Sequence, residues 1–154
     1  MSFGPGDDLP LTGRLLAVDP GEVRMGLAAC DPEQLVASPA EVVPVDDDRD
    51  LDGIAADVAT AAQERQVVGI VVGWPRDMNG RETAPASRAR RLSDAIREAT
   101  GLPVALWDER LTTVEAERAM LEGDASRARR KERVDQVAAS IILRGVLEAH
   151  RVRR

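Results

Sequence analysis

The chain has 154 residues, 44% of them hydrophobic and 31% charged, a balance that suits one globular domain with a single core and excludes a disordered or fibrous chain. The N-terminus, MSFGPGDDLPLTG, lacks a basic start followed by an apolar core, and no run approaches the length that spans a bilayer, so a cytoplasmic protein without a membrane partner is expected. A net charge of −6 speaks against nucleic acid only on average, because Asp46, Asp47, Asp48, Asp50 and Asp52 crowd one segment and Arg127, Arg129, Arg130, Lys131 and Arg133 another.

Residues 1–13, rich in proline, glycine and aspartate, read as a flexible arm before a single domain over 14–150. "RLLAV" and "MGLAAC" are short apolar runs separated by Pro20 and Gly21, the pattern of two antiparallel strands. "LVASPAEVVPV" predicts a third strand, with Pro39 and Pro44 marking a sheet edge. From Leu51 to Arg65 the apolar residues recur at helical spacing, and "VVGIVVGW" follows as a buried, parallel strand.

The polar loop "PRDMNGRE" leads to a second helix over Thr83–Thr100, closed by Gly101 and Pro103. "LPVALW" is a fifth strand, after which Thr112 or Thr113 caps a helix ending near Gly123. The basic stretch "SRARRKER" precedes a last helix from about Lys131 to Ala149. Three strands followed by helices alternating with buried strands imply an α/β fold, a mixed sheet covered by helices.

Asp19 ends the first strand, and Asp108 and Glu109 end the fifth, at the carboxyl edge where open α/β sheets bind ligands. On the last helix Asp135 shares a stripe with Ala138, Ala139, Ile142 and Val146. A carboxylate on an apolar stripe is costly to bury unless paired, protonated or metal-bound. If that helix covers the carboxyl edge, Asp19, Glu109 and Asp135 converge. Oxygen ligands alone favour Mg²⁺ or Mn²⁺ over zinc, and one histidine and one cysteine cannot build a histidine-assisted triad or a typical zinc site. Clustered carboxylates then point to metal-assisted phosphodiester hydrolysis.

Each residue also has a plain structural role available. Asp19 before Pro-Gly is a turn former, Asp108 and Glu109 can pair with Arg110 or cap a helix, and Asp135 can be solvated. The basic stretch 127–133 reads either as a solvated loop or as a phosphate contact. No tyrosine, one phenylalanine and two tryptophans leave almost no base-stacking surface, so recognition by backbone and shape is expected. Cys30, in an apolar run, reads as core.

"AVDPGEVRMGLAACD", "VVGWPRDMNG", "VALWDERLTTVEAE" and "SRARRKERVDQVAASIIL" together resemble, in order and spacing, the motifs of the YqgF family, also called RuvX or Holliday-junction-resolvase-like proteins. The resemblance implies an RNase H-like fold, a five-stranded mixed sheet whose first three strands are antiparallel, with helices on both faces. It implies a metal-dependent nuclease that matures the small-subunit ribosomal RNA precursor, with branched DNA such as Holliday junctions as the other substrate. By motif, the catalytic residues are Asp19, Glu109 and Asp135, with Asp108 beside them as a further metal ligand. Arg24, Arg110, Thr112 and Thr113 fall in the matched segments and are assigned to nucleic-acid contact, together with Arg127, Arg129, Arg130 and Lys131. Trp74 stands where similar sequences carry a smaller aliphatic residue, and the acidic cluster 46–52 and the arm match no family motif.

Two other readings stand beside the nuclease. A non-catalytic ribosomal-RNA-binding factor would bind in a salt-sensitive way without needing the carboxylates. A phosphotransferase of the actin-like ATPase kind needs a second phosphate-binding copy, for which 154 residues leave no room. Monomer and homodimer are both compatible with the sequence.

Overall fold

The computed structural model describes residues 8–21, 23–45, 50–75, 79, 81, 83–109 and 127–153, without the side chains of 127–136. Its elements are β1 (Leu15–Asp19), β2 (Arg24–Cys30), β3 (Ala37–Pro44), α1 (Leu51–Arg65), β4 (Gly69–Trp74), α2 (Ala84–Thr100), β5 (Val104–Asp108) and α3 (Arg127–Arg153). The helix expected between Thr112 and Gly123 lies outside the described residues.

The five strands form one sheet in the order β3-β2-β1-β4-β5. β1 pairs antiparallel with β2, and β2 with β3. β1 pairs parallel with β4, and β4 with β5. A sheet of this kind, with its first three strands antiparallel and helices on both faces, is the expected architecture. β3 is an edge strand, which explains how its two prolines are tolerated: a missing N–H costs least where one side of the strand has no neighbour in the sheet.

Local chemistry sets the helix ends. The Asp50 side chain accepts from the Gly53 N–H at 2.8 Å and caps α1, while Gln66 stops it in a left-handed conformation at φ 55°. α2 ends on Gly101 at φ 69°, a conformation that glycine adopts without strain.

Strand alternation divides the interior into two layers. Leu16, Val18, Ile70, Val72, Val104 and Leu106 pack with α1 and α2. Leu15, Ala17, Val71, Ala105 and Trp107 pack with Ala138, Ala139, Ile142 and Val146 of α3. Gly145 lets α3 come close to β5, since a Cβ there would lie 2.9 Å from Cζ2 of Trp107.

Two sequence expectations change. α3 starts at Arg127, four residues before the expected Lys131, so Arg127, Arg129 and Arg130 are helical as well. Arginine and lysine are good helix formers, but the apolar period that reveals this helix begins only at Val134. The segment before β1 is also fastened from Leu9 onward: Leu9 is buried in the α3 layer. The Gln34 amide nitrogen donates to the carbonyls of Pro10 and Gly13, at 3.0 and 2.9 Å. The amide oxygen of Gln34 therefore faces His150, which is fully buried near the end of α3 and donates through Nδ1 at 2.8 Å. This clasp joins the C-terminal end of α3 to the start of β1.

Candidate active site

A strand can hold a charge firmly at its end because every residue before it is locked by the ladder and by packing. Asp19 closes β1 in this way, after four buried residues, and is itself only 4% exposed. By alternation it follows Leu15 and Ala17 onto the α3 face of the sheet.

Glu109 directly follows β5 and returns to the same face. Its position is fixed by Gly73, the penultimate residue of β4: a Cβ built on Gly73 would stand 2.8 Å from Glu109 Oε1 and 2.8 Å from Ile142 Cδ1. The carboxylate therefore lies across β4 in the space that the missing side chain leaves, and its Oε1 is buried. The ladder that pairs Val18 with Val72 puts Asp19 next to this glycine on the neighbouring strand. Asp19 at the end of β1 and the Glu109 carboxylate over Gly73 of β4 thus lie on the same face of the sheet, on neighbouring strands about 4.8 Å apart.

α3 supplies the third candidate. His150 lies at the start of β1 and Ile142 at the end of β4, so α3 runs antiparallel to these strands and its earlier turns extend past their carboxyl ends. Asp135 stands on the stripe of Ile142, seven residues earlier, which puts its backbone about 10 Å further along the helix, over that edge. Its side chain lies outside the described atoms. Among the described residues no three His, Cys, Asp or Glu side chains gather as a metal-binding group. Asp19 and Glu109 offer oxygen donors only, the donor type that Mg²⁺ and Mn²⁺ prefer.

Asp108 does not join them. It pairs in register with Trp74, and both belong to the opposite face, the α1/α2 layer. The motif places Asp108 beside Glu109, but one residue along a strand reverses the side-chain direction, and this moves it out of the proposed ligand set. On that face the Arg90 guanidinium lies 5.5 Å from the centre of the Trp74 ring.

Arg24 opens β2, half-buried, beside the turn that follows Asp19. Arg127, Arg129, Arg130 and Lys131 form the start of α3, at the end of the helix that projects past the carboxylates. Arg110, Thr112 and Thr113 lie outside the described residues. Sequence reasoning missed Gly73. Its signal was an isolated glycine inside "VVGIVVGW", since glycine within a strand marks a close approach. Cys30 is buried as expected, and its Sγ accepts from the Leu15 N–H at 3.2 Å.

Residues 13–149 match the family model described as RuvX, Holliday junction resolvase. A Rhodopirellula baltica protein carrying the name "Putative pre-16S rRNA nuclease" is 41% identical over 148 residues, covering 96% of this chain and 83% of its own. A Paracoccus denitrificans protein of the same name is 43% identical over 140 residues, covering 91% and 87%. Among solved structures, Thermus thermophilus RuvC in complex with a Holliday junction substrate superposes with a TM-score of 0.57 at 17% identity, over 91% of this chain and 96% of that one. That likeness is one of fold. The ordered motifs, the mixed sheet and these relatives lead to one conclusion: the chain belongs to the RuvX (YqgF) family.

Proposed function

We propose that this protein is a nuclease that hydrolyses phosphodiester bonds at Asp19, Glu109 and Asp135 with the help of Mg²⁺ or Mn²⁺, and that its substrate is the precursor of the small-subunit ribosomal RNA. The reading is supported by the placement of Glu109 over Gly73 and of Asp19 at the end of the neighbouring strand: two acidic residues 90 positions apart in sequence, on one sheet face, at the edge where such sheets bind ligands. Like charges on neighbouring strands repel, and a cation between them relieves that repulsion.

Asp19 and Glu109 hold the cation through oxygen, and Asp135 completes the set from α3. When bound, the divalent cation supplies an activated water and neutralises charge on the phosphate. The basic start of α3 and Arg24 hold the phosphates on either side by charge, without reading bases. The names of the similar proteins support ribosomal RNA as the substrate, and the family description makes a four-way DNA junction the second substrate to test. A substrate of this kind belongs in the cytoplasm, and no helix among the described residues is long and apolar enough to cross a membrane.

The test is cleavage of a precursor ribosomal RNA fragment and of a synthetic junction with Mg²⁺ or Mn²⁺, comparing the wild type with Asp19→Asn and Glu109→Gln. Each variant should lose at least about 100-fold in rate, more than the loss of a residue that only supports a ligand. Undiminished cleavage by either variant overturns the site. Salt-sensitive binding by all three proteins without cleavage of any substrate would favour the RNA-binding factor instead.

A further inference from the structure

β5 lies at the edge of the sheet, paired only with β4 among the described residues, yet Glu109 directly follows it. A strand end held by one ladder frays unless side chains hold it as well. α2 provides that hold. Arg97 Nη2 donates at 2.8 Å to the carbonyl of Val104, the first residue of β5. Two turns earlier on α2, the Arg90 guanidinium lies 5.5 Å from the centre of the Trp74 ring. Trp74 is the ladder partner of Asp108, the last residue of β5. Seven helical residues span about 10 Å and four strand steps about 13 Å, so the two arginines bracket β5 from its first residue to its last.

The bracket at the far end meets a charge. Asp108 and Trp74 are each 5% exposed, and alternation turns both toward the α1/α2 layer. A carboxylate buried this deeply is costly unless opposite charge or hydrogen-bond donors hold it. The half-buried guanidinium over its ladder partner is a permanent cation, and a flat fork of this kind stacks on an indole while its edge still donates to a carboxylate. Gly73 and Trp74 are consecutive, and so are Asp108 and Glu109. The cluster therefore sits on the back of the sheet, behind the gap at Gly73 that the Glu109 carboxylate occupies.

We infer that Arg90 is a positioning residue of the candidate site: stacked on Trp74 and paired with the Asp108 carboxylate, it fixes the end of β5 and so aims Glu109 over Gly73. The inference rests on the reading of Glu109 as a metal ligand for its consequence and not for its geometry. It also gives Asp108, which faces away from the proposed ligands, a part in the site.

The experiment compares Arg90→Met, Arg90→Lys and the double variant Arg90→Met/Asp108→Asn with the wild type. Mn²⁺ affinity is measured by calorimetry, and ¹³C-methyl spectra are recorded without metal. The δ1 methyl of Ile142, which shares the Gly73 gap with Glu109 Oε1, reports where that carboxylate lies. Arg90→Met should shift this methyl, leave those of Leu15 at the start of β1 unmoved, and weaken Mn²⁺ binding about tenfold, the low end for a residue that supports a ligand. Arg90→Lys keeps the charge without the fork and should recover part of that loss. The double variant removes both charges, so it leaves no buried carboxylate alone should Arg90→Met fail to fold. It should shift Ile142 as well and lose about the same factor in affinity, because both residues act through one pair. Arg97→Met frees the other end of β5 and is the control for stability: it should lower the unfolding temperature and leave the Ile142 methyl and Mn²⁺ affinity as in the wild type. An unmoved Ile142 methyl in Arg90→Met or in the double variant, or one moved as far by Arg97→Met, would overturn the inference. A wild type that binds no Mn²⁺ would refute the metal reading instead, and the methyl comparison would still decide whether Arg90 positions Glu109.

Discussion

Replacing Gly73 by alanine is the sharpest single perturbation of the site. The new Cβ would stand 2.8 Å from both Glu109 Oε1 and Ile142 Cδ1, closer than real Cβ atoms come, so both side chains have to give way. Ile142 is fully buried in the α3 layer, whereas Glu109 is partly exposed at a strand end, so the carboxylate moves further and the strain that remains falls on Ile142. Overpacking of this size costs about 1–3 kcal/mol, reduced by the roughly 0.5–1 kcal/mol that alanine gains over glycine inside a strand. For a chain of this length that is a fall of up to about 10 °C in unfolding temperature. The larger effect should be on the metal: with Glu109 displaced from Asp19, Mn²⁺ affinity measured by calorimetry should fall about 10–100-fold, the range seen when a ligand loses its orientation. Adding Ile142→Val removes the Cδ1 clash and should restore stability without restoring affinity. A Gly73→Ala protein that binds Mn²⁺ as tightly as the wild type would refute the placement of Glu109 across β4.

Other changes separate the roles of single residues. Asp19→Asn should unfold at the same or a higher temperature than the wild type without metal and should lose the upward shift expected of the wild type with Mn²⁺, about 2.7 kcal/mol at a hundredfold excess over Kd; an unchanged shift would remove Asp19 from the ligand set. Gln34→Ala breaks the clasp between His150 and the carbonyls of Pro10 and Gly13, and should cost about 1–3 kcal/mol for each group left buried and unsatisfied, read by urea unfolding. Burial, ahead of the nearby Asp31 charge, pushes the Cys30 thiol above its ordinary range. The folded state then keeps a proton that the unfolded chain gives up, so Cys30 stabilises the fold less as pH rises past the unfolded thiol value, and Cys30→Ala should flatten that alkaline decline. Asp31 has the opposite sign: its carboxylate accepts first from the Val36 N–H, at 2.7 Å, and then from Leu35, and is held below its ordinary value. Its contribution is present above the unfolded aspartate value and is lost as pH falls through the lower folded one, a decline that Asp31→Asn should reduce in acid unfolding curves.

Much of the molecule was legible in the sequence. The helical period over 51–65 and the β-branched run ending at Trp74 gave α1 and β4 almost to the residue, because each pattern matches one packing surface. The strand-end positions of Asp19 and Glu109 were legible too, since a charge closing an apolar run has few places to go. The start of α3 was not, because a basic first turn carries no apolar period. The clasp of Gln34 and His150 joins residues 116 positions apart, and no local pattern signals such a pairing.

By itself, then, the sequence determined which residues carry charge, where the strands end and which elements alternate. These depend on neighbours along the chain, and local chemistry fixes them. The tertiary structure decided which charges share a side. One step at the end of β5 sends Asp108 to the α1/α2 layer and Glu109 to the α3 layer, the face that Asp19 shares, and a missing side chain on β4 gives Glu109 room there. The physical reason is that direction in a sheet alternates with each residue, and proximity across strands depends on order and register, which only the assembled sheet fixes.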